Sequence, residues 1–97
     1  MSFDEFRQAI RGAAQPPGDL GLPLQALWHD ARDDWPRAHA CAQQATGRAG
    51  AWVHAYLHRK EGDEGNAAYW YARAKRSKPA TALEAEWESI ARTLLAP

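Results

Sequence analysis

β-Branched residues are too scarce in this chain to build a sheet: 97 residues include one Val, two Ile and three Thr. Such side chains suit the half-buried pleat of a strand. Alanine, the strongest helix former, fills 21 positions instead. The combination predicts an all-α fold. It also limits the core. Leu, Ile, Val and Phe together number 13, so five Trp and three Tyr must supply the bulk. Each large ring can bury ~150–250 Å². A chain of this length is expected to form one domain over 1–97.

Caps and breakers divide the chain into helices. Ser2-Phe3-Asp4-Glu5 is a capping-box pattern. Phe3, Phe6 and Ile10 follow on one face, predicting a helix within 1–14. Pro16-Pro17-Gly18 ends it. Pro23 suits a first turn, and Leu24, Leu27, Trp28 and Ala31 stripe a second helix. Asp34 can cap a third, which has Pro36 in its first turn and runs to about Ala45. Two glycines make Thr46 to Gly50 read as a loop. A fourth helix is expected from Ala51 to Glu61, stopped by Gly62. A fifth runs from Glu64 to Ala74. Thr81-Ala82-Leu83-Glu84 is a second capping box. Leu83, Trp87, Ile90 and Leu94 then form the stripe of a final helix over 81–95.

A shift of 29 residues lays Ala26 on Ala55, His29 on His58, Asp34 on Asp63, Ala38 on Ala67 and Ala45 on Ala74. The expected architecture is therefore six short helices. Two helix-turn-helix pairs, 22–45 and 51–74, stack on each other, and the terminal helices close the ends.

Gly62-Asp63 followed by Ala67, Tyr71, Ala74 and Pro79 resembles the second half of a tetratricopeptide or Sel1-like repeat. The likeness extends over about 22–79. The first half departs from the pattern: only the small residue Ala55 fits, while Ala51, His54 and His58 stand at its larger positions. The resemblance implies a groove lined by the first helix of each pair, with extended peptides as ligands. By that implication Trp52, Tyr56, Arg59 and Lys60 face the groove. Aromatic and cationic side chains together suit a carboxylate terminus or an acidic peptide. The stretch from Trp52 to Asp63, with Asn66 to Tyr71, also resembles a group of short bacterial proteins that carry no assigned chemistry.

Two readings of function follow. The preferred one is a non-enzymatic protein-interaction module without a cofactor. Its five Trp exceed what a small core can bury, so Trp52, Tyr56 and Trp70 would contact a peptide, a protein or a second copy of the chain. The alternative is a metal-binding protein or metal-dependent enzyme. His54 and His58 stand at i and i+4 on one helix face, a spacing that suits a divalent ion. His29 would be the third ligand through its register match with His58. The HExxH signature is absent, because Ala55 follows His54.

Other chemistries find little in the sequence. Twelve basic residues balance twelve acidic ones, whereas duplex-binding domains carry a basic excess. Arg73, Lys75, Arg76 and Lys78 read as a helix end and a solvated connector. Cys41 lies mid-helix, where nothing lowers its pKa. A single cysteine points to a reducing, cytoplasmic setting. No apolar run approaches the ~20 residues of a membrane span.

Overall fold

Ser2 and Glu5 start the first helix by satisfying each other's backbone. The computed structural model describes residues 1–96. In it the Ser2 hydroxyl accepts from the Glu5 amide at 3.1 Å, and the Glu5 carboxylate accepts from the Ser2 amide at 2.8 Å. Helix α1 spans Phe3–Gly12 and buries Phe3 and Phe6. Helix α2, Leu22–Ala31, has Pro23 in its first turn, where a missing N–H costs nothing. Helix α3, Trp35–Gln44, is capped by the Asp34 side chain, which accepts from the Arg37 amide.

Helix α4, Gly47–Glu61, is the longest and the most buried: every residue from Gly50 to His58 is inside. It ends at Gly62, whose φ of 86° is the left-handed conformation that glycine adopts without penalty. Helix α5, Glu64–Ala74, is capped by Asp63. Helix α6, Leu83–Leu95, ends the described chain. The described residues contain six helices and no strand. None of these helices is long and apolar enough to cross a membrane.

Helices that follow each other in sequence pack most extensively, α2 on α3 and α4 on α5. The small residues Ala26, Ala38, Ala55 and Ala67 are fully buried, and they permit that close approach. Helix α6 departs from the expected position at one end. It lies against both α4 and α2, and it carries α1. Phe3 and Phe6 meet the Trp87 ring at centroid distances of 6.0 and 5.9 Å. The Trp87 indole N–H donates to the Leu27 carbonyl at 3.1 Å.

Two local expectations are corrected. Residues 47–50 are the first turn of α4, not loop. The Thr81 capping box does not form, because α6 begins one residue later with Ala82 at its N-cap. Gly50 explains the first. A Cβ placed there would lie 2.8 Å from the Ala45 Cβ and 3.1 Å from the Ala45 carbonyl carbon. The glycine lets α4 start hard against the end of α3. Gly50→Ala is therefore expected to destabilise the protein by ~1–3 kcal/mol, despite alanine's better helix propensity. A urea midpoint equal to or above wild type would show that the two helix ends have slack.

Candidate metal centre

Three imidazoles from two helices converge on one spot. His54 and His58 project from one face of α4, and His39 comes from the adjoining helix α3. One ring nitrogen from each lies within 4.8 Å of the other two. The Nε2 atoms of His39 and His54 are 3.0 Å apart. Metal–nitrogen bonds of ~2.0–2.1 Å at tetrahedral angles place ligand nitrogens roughly 3.3 Å apart. The rings thus lie within a small side-chain movement of a shared ion.

Two indoles fix the ring planes. His39 stacks on Trp35 with centroids 4.8 Å apart and planes 9° from parallel. His54 stacks on Trp70 at 4.0 Å and 14°. Trp35 is itself held by donation from its indole N–H to the Leu57 carbonyl at 3.0 Å. A carboxylate orients the third ring: His58 Nδ1 lies 2.7 Å from Glu61 Oε1. A neutral His58 that donates from Nδ1 keeps Nε2 as a bare lone pair. Carboxylate partners of this kind support metal-ligating histidines.

His54 and His58 are buried and His39 is half-buried. Burial, with the neighbouring His39 and His58, pushes the His54 pKa down to about 4. Burial also lowers that of His39. Both rings are therefore neutral at pH 7, the protonation state in which an imidazole can ligate. His54 Nδ1 is buried without a hydrogen-bond partner.

The same shift makes the fold acid-sensitive. An unfolded His54 takes up its proton near pH 6.5, and the folded one only near pH 4. Between those values the unfolded chain binds more protons, so stability falls as pH falls. The expected loss is roughly 3 kcal/mol over that window, at ~1.4 kcal/mol per pH unit. Urea melts of the metal-free protein at pH 7 and 4.5 measure it. His54→Phe, which keeps an aromatic ring on Trp70, should remove most of the difference. An equal slope in that variant would assign the acid sensitivity elsewhere.

His29 is not part of this cluster. It remains on α2, edge-on to Trp28 at 5.1 Å, because α3 rather than α2 supplies the ring beside His54. The expected peptide-binding face is not free either. Trp52 and Tyr56 are buried. The Tyr56 hydroxyl donates to Asp30 at 2.8 Å, and Lys60 Nζ donates to the same carboxylate at 2.9 Å. Arg59 donates to Glu86 at 2.8 Å and also to the Thr81 carbonyl. Tyr71 completes that site, donating to Glu86 at 2.6–2.8 Å. Burial and the adjoining carboxylates raise both phenol pKa values well above the ordinary range. Glu86 belongs to α6, so the last helix covers the face of α4 on which a groove was expected.

Trp70 is engaged with His54, and the Arg76 guanidinium lies 3.4 Å above the Trp52 ring. Among the described residues, the large hydrophobic side chains left well exposed are Met1 and Tyr69. Most of the aromatic surplus expected to drive self-association is packed within the chain, with Trp35, Trp70 and Trp87 partly buried against the core.

His39 is the member of this cluster that the sequence pattern leaves out. Trp35 and His39 are spaced i, i+4, which puts both rings on one helix face but does not say which helix that face meets. No family model, curated protein or solved structure matches the chain.

Proposed function

We propose that this protein binds a borderline divalent transition-metal ion of the zinc class through His39, His54 and His58. The observation that carries the reading is the convergence of three ring nitrogens within 4.8 Å, one ring backed by Glu61. Imidazole donors favour zinc, copper or nickel over the oxygen-seeking magnesium and calcium. Three protein ligands leave a fourth position for solvent or another molecule, the pattern of zinc sites that support chemistry. There the ion would act as a Lewis acid. The protein's own part is to hold the rings: Trp35 and Trp70 set two planes, and Glu61 sets the tautomer of the third. A peptide-groove module, by contrast, would need α6 to leave the face of α4 that it covers.

The test is a zinc titration of protein purified without a polyhistidine tag. One equivalent is expected to bind. His39→Ala and His54→Ala should each weaken binding at least ~100-fold, whereas Glu61→Gln should weaken it by ~10–100-fold. His29→Ala should leave it unchanged. Full affinity in His39→Ala would refute the assignment.

A further inference from the structure

Four cations gather at the other end of α4 without a carboxylate to neutralise them. Ion pairs in the structure engage Arg37, Arg59, Lys60, Lys78 and Arg92. Arg48, Arg73, Lys75 and Arg76 have no such partner among the described residues. All four are exposed, and they line two hollows that share Arg48; Lys75 and Arg76 also border a third, whose one carboxylate, Glu86, is already paired with Arg59. One hollow, of about 250 Å³, runs from Arg48 past Trp52 to Lys75, Arg76 and Thr93. The other, of about 490 Å³, lies between Arg48, Trp70 and Arg73. Neither lining contains an Asp or Glu. In a chain with zero net charge, this is a strongly one-sided concentration.

The local electrostatics make it costlier still. Arg48 lies in the first turn of α4, the positive end of the helix dipole, where a cation is disfavoured. That turn has no acidic residue, and the Thr46 side chain makes no capping bond. Lys75 occupies a left-handed position at φ 57°, where glycine would be less strained. Arg76 is held over Trp52, and Arg73 is placed by Tyr69, whose hydroxyl accepts from it at 3.2 Å. Mutual repulsion of this kind is relieved when a multiply charged anion lies between the cations.

We propose that Arg48, Arg73, Lys75 and Arg76 form a binding site for a small polyphosphate-type anion. Guanidinium groups pair with phosphate oxygens in bidentate fashion, and lysine acts as a point charge beside them. Four positive charges around two adjoining hollows match a ligand with several negative charges better than a single carboxylate. Nucleic acid fits less well. Base stacking needs an open aromatic face, yet Trp52 is covered by Arg76, and Trp70 carries His54 and Arg73 on its ring. The site is independent of the metal reading.

Calorimetric titration of the metal-free protein with sodium pyrophosphate at low salt tests the proposal. One equivalent is expected to bind, and Arg48→Ala should weaken it at least tenfold. Arg37→Ala, which removes a guanidinium paired with Asp34, should change nothing. Lys75→Gly separates binding from folding: it should raise thermal stability by relieving the backbone while weakening pyrophosphate. Absence of binding at millimolar pyrophosphate would overturn the proposal, as would equal losses in Arg48→Ala and Arg37→Ala. So would tighter binding of a short single-stranded RNA than of pyrophosphate, which would give the cations to a nucleic-acid backbone instead.

Discussion

Arg59→Ala is expected to cost ~3–5 kcal/mol, a large part of the stability of a domain this size. Its partner Glu86 has a side chain only 2% exposed, and that of Arg59 is 13% exposed. Removing the guanidinium leaves a carboxylate inside the protein with the Tyr71 hydroxyl as its remaining partner. Most of the cost comes from that uncompensated charge, not from the lost attraction. The triple variant Arg59→Met, Glu86→Leu and Tyr71→Phe should therefore recover much of the loss, because it leaves neither a charge nor a buried hydroxyl without a partner. Urea unfolding of the three proteins measures both effects. A single variant within 0.5 kcal/mol of wild type would show that Glu86 reaches water or protonates at little cost.

Trp28 offers a second large effect with an internal control. The indole is 2% exposed, so Trp28→Ala should cost ~3–5 kcal/mol through the cavity it leaves. Its N–H, however, is buried without a hydrogen-bond partner. Trp28→Phe makes a smaller cavity and removes that unsatisfied donor, which carries a desolvation penalty of ~1–3 kcal/mol. The two terms oppose each other, and the expected net cost is below ~1 kcal/mol. If Phe proves nearly as damaging as Ala, the indole N–H has a partner in solution.

Helix existence was legible because each helix carries its own stripe and stop signals: Phe3, Phe6 and Ile10 in α1, Gly62 after α4, and Leu83, Trp87 and Ile90 in α6. What escaped the sequence depends on neighbours. Gly47 and Gly50 look like loop residues until the start of α4 requires a left-handed φ at the first and the end of α3 leaves no room for a Cβ at the second. Arg59 and Lys60 read as free to meet a ligand in a groove until Glu86 and Asp30 arrive from distant segments to pair with them. The histidine pair on α4 was visible from its spacing. Its third member was not, because the register shift compares α2 with α4, whereas contact is made by α3.

The position of α6 also bears on how the molecule opens. Helix α1 packs chiefly on α6, and once α6 detaches its remaining tie is the exposed Arg32 guanidinium, which donates to the Ile10 and Ala13 carbonyls. The two should exchange their amide hydrogens as one cooperative unit, at a free energy below that of the α2–α5 body. Such an excursion would bare Trp52, Tyr56 and the carboxylate ends of two buried ion pairs together. The face hidden in the ground state is thus the first large surface that a fluctuation delivers to solvent. The histidine cluster, built on α3 and α4 and flanked by α5, would stay assembled throughout.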